Sequence, residues 1–276
     1  MRIKSLYVLC AVAGLVALAA PPAAAFGSSG SDDRAEVVGG VRADEGDFPW
    51  IVRLSGGCAG ALAAPRFVLT AAHCVPGTGR TSSIRVTAGS ADLGSDRSVT
   101  VRSVYVRQAP DFRQVTSGND WAIVELERAL DLPTLPLATS GRYNGGRFTV
   151  LGWGSTSEGS LVQQRQLRRA TVSYVDDRTC ARAYESLGYD FVPSDMICAG
   201  NARSNGPDAC QGDSGGPLVH RVADGGWVQV GIVSWGYGCA RKGYPGVYTQ
   251  VSTFAEAIAE AVRAGGSAEK LVPTGT

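Results

Sequence analysis

The chain predicts an all-β fold, of sandwich or barrel type and long enough for two barrels. From Val37 to Gln250 its apolar residues fall in short or alternating runs, the pattern of strands, and turn residues separate them, among 36 glycines in 276 residues. Helical periodicity shows only near the C-terminus.

Taken in order, the chain opens with Met1-Arg2-Ile3-Lys4, runs apolar from Leu6 to Ala20 and reaches Pro21-Pro22-Ala23-Ala24-Ala25. A basic start, a short apolar core and a small-residue cleavage site make residues 1–25 a secretory signal peptide. The run falls short of the ~20 residues that span a bilayer, and no later apolar stretch is long enough. A secreted, extracellular protein with no membrane contact in its mature form is expected. Cys10 lies inside the apolar core and not at its end, which argues against a lipid anchor.

Phe26 to Glu36 is polar and glycine/serine-rich, and Val37-Val38-Gly39-Gly40 follows it. Ile84-Arg85-Val86-Thr87, Val99-Thr100-Val101, Val104-Tyr105-Val106, Phe148-Thr149-Val150-Leu151 and Val228-Gln229-Val230-Gly231-Ile232-Val233 read as strands. Leu130 to Thr139, with Pro133 and Pro136, has no strand pattern and is the candidate linker between two halves. Phe254, Ile258 and Val262 recur at four-residue spacing, and Thr253 with Glu256 offers a capping box, so a helix is expected over 252–263. After Gly265-Gly266 a flexible tail is expected, 264–276.

The formal net charge is only +1. Nothing in that balance favours nucleic acid or an acidic membrane as partner. Beyond the leader there are six cysteines: Cys58, Cys74, Cys180, Cys198, Cys210 and Cys239. An even count in an exported chain argues for disulfides, and six cysteines allow about fifteen pairings. None of the spacings has the clustered form of a zinc site, and His73 and His220 are the only histidines, so no metal is expected. His220, after Pro217-Leu218-Val219, has no matching partner and reads as a strand-surface residue.

The chemistry concentrates around Gly212-Asp213-Ser214-Gly215-Gly216, a small nucleophile among residues that let the backbone approach a substrate. A serine hydroxyl is a poor nucleophile near neutral pH until a base takes its proton, and that base needs a third group to hold its tautomer. His73 in Leu69-Thr70-Ala71-Ala72-His73-Cys74 and Asp120 in Asn119-Asp120-Trp121-Ala122-Ile123-Val124 fill these two roles. Both are polar groups beside sequence that ought to be buried, a costly position without a partner.

With these residues in hand, the chain resembles the trypsin-like members of the chymotrypsin family of serine proteases, secreted bacterial trypsins above all. The matching pieces are Val37-Val38-Gly39-Gly40, Thr70-Ala71-Ala72-His73-Cys74, Asp120, Cys210-Gln211-Gly212-Asp213-Ser214-Gly215-Gly216-Pro217 and Ser234-Trp235-Gly236, in the family's order from about Val37 to Val262. The resemblance implies two antiparallel six-stranded β-barrels, about 37–139 and 140–251, with the C-terminal helix packed behind them. It also implies Ser214 as nucleophile, His73 as base, Asp120 as the acid that orients it, and the backbone N–H groups of Gly212 and Ser214 as the oxyanion hole. This family supplies the general template for that triad.

Further roles follow from the same resemblance. Asp208 becomes the floor of the primary pocket, with Ser234, Gly236 and Gly246 along its walls, so cleavage after Arg and Lys is expected. Asp213 would receive the α-ammonium of Val37 once the propeptide 26–36 is cut away. The residue before Val37 is Glu36, which a trypsin-specific enzyme would not cut after, so activation by a protease of different specificity is expected. Implied disulfides are Cys58–Cys74, Cys180–Cys198 and Cys210–Cys239. The calcium-loop carboxylates of vertebrate relatives have no evident match between Cys74 and Asp120, and no cofactor is expected. Partners would be Arg- or Lys-containing protein or peptide substrates, the activating protease and protein inhibitors, with the enzyme a monomer. The alternative of a catalytically dead binding module would normally show a missing triad residue, and all three are present.

Overall fold

The structure, a computed structural model, describes residues 40–200 and 206–268. The expected leader, the propeptide, Val37 and residues 269–276 of the expected tail lie outside the described residues.

The first strands are β1 (Val41–Arg42), β2 (Ile51–Leu54), β3 (Ala59–Ala64), β4 (Phe67–Thr70), β5 (Gly79–Arg80), β6 (Arg85–Ala88), β7 (Val99–Gln108) and β8 (Ala122–Leu126). The later ones are β9 (Arg147–Gly152), β10 (Arg168–Val175), β11 (Met196–Gly200), β12 (Pro217–Arg221), β13 (Trp227–Trp235) and β14 (Gly246–Gln250). Six strands pair in the order β7-β6-β2-β3-β4-β8, and a β7–β8 pairing closes the ring, with β5 added to β7. The second ring runs β10-β11-β14-β13-β12-β9 and is closed by β9–β10. Closure leaves no long open edge, which is how an all-β chain of short strands avoids pairing with a neighbour. The fold is the expected pair of antiparallel six-stranded barrels.

Several elements differ from the sequence reading. Strand β1 precedes the first barrel in sequence but pairs with β10 of the second, Val41 opposite Arg169, so the first barrel does not begin with it. The runs Val99–Val101 and Val104–Val106 are one strand, β7, whose register against β8 shifts between Ser103 and Tyr105. Ser103 breaks the apolar pattern yet is buried, because its hydroxyl donates to the Thr81 carbonyl (2.7 Å) and accepts from the Ile84 N–H (3.3 Å).

The segment 130–139 forms no strand and straps the barrels together. The Leu130 and Leu135 N–H groups donate to the Pro65 and Leu62 carbonyls of the first barrel. Ala138 N–H donates to Gln229 and Gln229 N–H to Pro136, which anchors the strap to the second.

Among the described residues two α-helices complete the fold. The unexpected one, α1 (Asp177–Glu185), starts at Asp176, whose carboxylate accepts from the Thr179 N–H at 3.0 Å. Its buried residues Cys180 and Tyr184 are one turn apart, and the Cys180–Cys198 disulfide fastens it to β11. The C-terminal helix α2 (Val251–Ala268) is longer than expected at both ends and runs through Gly265-Gly266. Thr253 is therefore inside α2 and not its cap; its hydroxyl donates to the Ser194 carbonyl at 2.5 Å and accepts from the Gln250 amide at 2.9 Å. Ile258 is fully buried, and Phe254 meets Trp121 with ring centroids 6.4 Å apart.

Burial explains the strand patterns. β10 alternates buried and exposed residues along most of its length, as a barrel wall facing water on one side must. β4 and β8 are buried at every position, because both of their faces are covered. Leu69, Ala71, Trp121 and Ile123 around them share an apolar cluster with Ile232 of the second barrel and Val251 and Ile258 of α2. This seam is where the candidate site sits.

Candidate active site

Strand pairing brings His73 and Asp120 together across 47 positions of chain. Thr70, the last residue of β4, lies opposite Ala122, the first of β8. His73 comes three residues after the one and Asp120 two before the other. His73 stands in a 3-10 turn, Ala72–Cys74, and the Cys58–Cys74 disulfide ties that turn to the start of β3. Asn119 takes a left-handed backbone (φ 60°), and its side-chain oxygen accepts from the Trp121 indole N–H at 3.1 Å. Asparagine tolerates that conformation better than most residues, and here it turns the chain so that Asp120 points inward.

The Asp120 side chain is almost fully buried, and three donors satisfy it. One oxygen accepts from the His73 backbone N–H at 3.0 Å. The other accepts from His73 Nδ1 at 2.8 Å and from the Ser234 hydroxyl at 2.6 Å. Thr249 holds the backbone of the same residue, donating to the Asp120 carbonyl at 2.7 Å. An ionised carboxylate can only accept, so the proton on the ring sits on Nδ1 and the Nε2 lone pair of a neutral His73 is left available.

Ser214 lies in the turn before β12. Its carbonyl accepts from the Ala59 N–H at 2.8 Å, and the Gly215 N–H donates to the Val233 carbonyl at 2.9 Å. Gly215 has φ 77°, and a Cβ on it would lie 2.2 Å from the Thr70 hydroxyl and 3.2 Å from the Ala71 nitrogen. Only glycine lets the serine turn close on the strand end that leads to His73.

Beside Ser214 is a cavity of about 150 Å³ whose lining includes Asp208, Gln211, Ser234, Trp235, Gly236 and Gly246. Asp208 is 4% exposed; one carboxylate oxygen accepts from the Ala209 N–H (2.8 Å) and the other from the Ala240 N–H (3.1 Å). Burial pushes its carboxyl up to about 7, against the opposing pull of those two N–H groups. A Cβ on Gly246 would lie 2.8 Å from the Asp208 carboxylate, so the wall stays open only while that residue is glycine. The Cys210–Cys239 disulfide joins the two sides of the cavity.

The family model described as Trypsin matches residues 37–258. The chain belongs to the trypsin family. It is 48% identical over 254 residues to a trypsin-like protease of Streptomyces glaucescens, covering 92% of each chain. It is 36% identical to a trypsin of Saccharopolyspora erythraea over 83% of this chain and 99% of that one, and 38% identical to trypsin beta of Drosophila erecta over 78% and 84%. The chain is thus a bacterial-type, trypsin-like serine endopeptidase, and proteins are its substrates.

In this protease the acid of the serine motif, Asp213, is held by backbone N–H groups. Asp213 is buried; its two carboxylate oxygens accept from the Gly154 N–H at 2.8 Å and the Cys210 N–H at 2.9 Å. Burial raises its carboxyl to about 6, while those N–H groups and the charge of Arg53 pull the other way. Its expected partner, Val37, lies outside the described residues. No helix among the described residues is long and apolar enough to cross a membrane.

Sequence reasoning missed two features of the site and read one histidine as more exposed than it is. Tyr248 lines the pocket with its hydroxyl buried and unpartnered among the described residues; the strand pattern Gly246-Val247-Tyr248 places it on the same side as Gly246. Gln163 and Arg53, distant in sequence, meet next to Gly212. His220, read as a surface residue, is partly buried between the Tyr143 and Phe148 rings, with centroids 5.5 and 6.0 Å away. His73 lies close to Cys58 and Cys74, but those sulfurs are bonded to each other and offer no thiolate to a metal.

Proposed function

We propose that the protease is exported as a zymogen and hydrolyses peptide bonds after Arg and Lys through an acyl-enzyme. Ser214 Oγ attacks the scissile carbonyl carbon while His73 Nε2 takes its proton. The tetrahedral oxygen is met by the Gly212 and Ser214 N–H groups, and the C–N bond breaks as His73 returns the proton to the departing amine. Water then repeats the sequence on the ester and frees Ser214. Asp120 stays ionised and holds the imidazole, which carries positive charge between the two proton transfers.

The single observation that carries this reading is the buried Asp120 carboxylate, bonded twice to His73 and once to Ser234, a residue that lines one cavity together with Ser214 and Asp208. A carboxylate held near neutrality by burial gains most from a substrate guanidinium or ammonium, which supports Arg and Lys as the residues before the scissile bond. Asp213 is the acid that would pair with the Val37 ammonium after removal of the propeptide. Because Glu36 precedes Val37, the activating enzyme is of another specificity.

The test is a panel of chromogenic peptides differing only in the residue before the scissile bond, run with and without a serine-directed covalent inhibitor. Turnover confined to Arg and Lys peptides and abolished by the inhibitor is expected; turnover indifferent to that residue overturns the pocket assignment. N-terminal sequencing of the active form should begin at Val37, and a start at Ala35 would remove the proposed activation step.

A further inference from the structure

Arg53 is the one polar residue of β2, between the buried Val52 and Leu54, and neither the triad nor the pocket accounts for it. From the first barrel its guanidinium reaches the serine turn of the second. Nη1 donates to the Cys58 carbonyl at 2.8 Å and approaches the Gly212 carbonyl at 3.5 Å, the long end of hydrogen-bond range. Nη2 donates to the Gln163 side-chain oxygen, and the amide of Gln163 donates in turn to the Gly57 carbonyl at 3.2 Å. The Gln163 amide also lies over Gly212: a Cβ there would be 2.6 Å from its nitrogen.

Gly212 joins two peptides: the one that carries its N–H is held at the Gln211 carbonyl by the Ser155 N–H at 2.7 Å, and the one that carries its carbonyl needs a second hold if the angle between them is to stay set. The φ of Gly212 is 98°, a conformation open to glycine, and glycine is also the residue least able to hold one peptide orientation by itself. The peptide after it is pinned at one end by the Asp213 N–H, which donates to the Cys210 carbonyl at 3.0 Å. The other end is its carbonyl, facing Arg53.

We propose that Arg53, clamped by Gln163, is a positioning residue for the oxyanion hole, holding the Gly212 carbonyl so that the Gly212 N–H stays aimed at the reacting oxygen. This rests on the assignment of Gly212 and Ser214 as the oxyanion donors. Such donors act only if they are held in place before charge develops, and a misplaced donor costs the transition state far more than the bound substrate. The planar guanidinium serves Cys58, Gly212 and Gln163 at once, a geometry a lysine ammonium reproduces only in part. The charge also faces Asp213, whose carboxyl it draws down against burial.

The experiment compares the mature enzyme with Arg53→Met, Arg53→Lys and Gln163→Ala on an Arg-peptide anilide, with two inhibitors. Benzamidine probes the Asp208 pocket with no tetrahedral centre; an arginine-terminated peptide aldehyde forms an adduct on Ser214 whose oxygen lies in the hole. In Arg53→Met, kcat should fall about 10- to 100-fold with KM changed less than about twofold. The aldehyde should weaken by a similar factor, and benzamidine should bind as before. Arg53→Lys should recover part of the loss, and Gln163→Ala should show the same selective pattern at smaller size. Equal weakening of both inhibitors, or an unchanged kcat and aldehyde affinity, overturns the proposal. If Arg53→Met does not fold, the exposed Gln163→Ala decides alone, by the same two outcomes. A wild-type enzyme insensitive to the aldehyde would remove the oxyanion assignment itself, whereas a sensitive wild type with an indifferent Arg53 variant removes only the role of Arg53.

Discussion

Replacing Asp208 by Asn should make the unliganded protease more stable at alkaline pH while crippling it toward Arg substrates. Burial raises the Asp208 carboxyl from 3.8 to about 7, so the native state binds more protons than the unfolded chain between those values. Stability from this group is therefore greatest below the unfolded value, falls as pH rises toward 7, and is level above it. At about 1.4 kcal/mol per pH unit, the charged form costs the fold ~3 kcal/mol more at pH 9 than at pH 5. Asn removes that slope, but it can accept from only one of the Ala209 and Ala240 N–H groups, and leaving the other unpaired costs ~1–3 kcal/mol.

The variant should therefore melt at or below the wild-type temperature at pH 5. By pH 9 it should have gained about 8 °C on the wild type, at ~2–4 °C per kcal/mol for a chain of this size. Both proteins would be melted in a Ser214→Ala background to prevent self-digestion. In the active background, an unpaired substrate guanidinium in the pocket should lower kcat/KM for Arg peptides by about 10²- to 10⁴-fold, the equivalent of ~3–5 kcal/mol. A melting difference that stays constant from pH 5 to pH 9 would refute the desolvation reasoning, and a kcat/KM within tenfold of wild type would refute the role of the charge.

Gly246→Ala should raise KM for Arg peptides at least about tenfold, since its Cβ would sit 2.8 Å from the Asp208 carboxylate. Reaction of Ser214 with a small ester that does not enter the pocket should be spared, and parallel loss of both would point to misfolding instead. Ser234→Ala strips one of three donors from the buried Asp120 and should lower kcat about tenfold, as expected of a hydrogen bond to a charged group worth ~1.5–3 kcal/mol; an unchanged kcat would mean that donor is idle. Benzamidine affinity should rise about tenfold per pH unit below 7 and level off above it, because the amidinium binds the ionised Asp208; a pH-independent affinity between 5 and 8 contradicts the raised carboxyl. Ile258→Ala, which empties a fully buried position under α2, should cost ~2–5 kcal/mol in urea denaturation with the midpoint falling accordingly.

Local pattern was enough to read the all-β class, because alternation of apolar residues and the turns between them are properties of neighbours in sequence. It was also enough for α2, where Phe254 and Ile258 repeat at helical spacing, although the helix outruns the glycines that were expected to end it. The short helix α1 went unread: its cap at Asp176 and its buried pair Cys180 and Tyr184 span only nine helical residues, too few to stand out from a turn. The glycine-rich turn around Ser214 and the polar residues His73 and Asp120 beside apolar runs were legible as chemistry, and resemblance to a family added the pocket role of Asp208, but sequence alone placed none of them near another. The pairing of β4 with β8 sets His73 against Asp120, and closure of the second barrel brings Ser234 and Thr249 onto the same acid. Burial, which no local pattern measures, lifts Asp208 and Asp213 toward neutrality. Residue order sets which side chains are available and where the chain prefers strands. Tertiary structure alone decided which of them meet, as with Arg53 reaching the Gly212 carbonyl 159 positions away, because contacts at that separation follow from how two barrels close and pack.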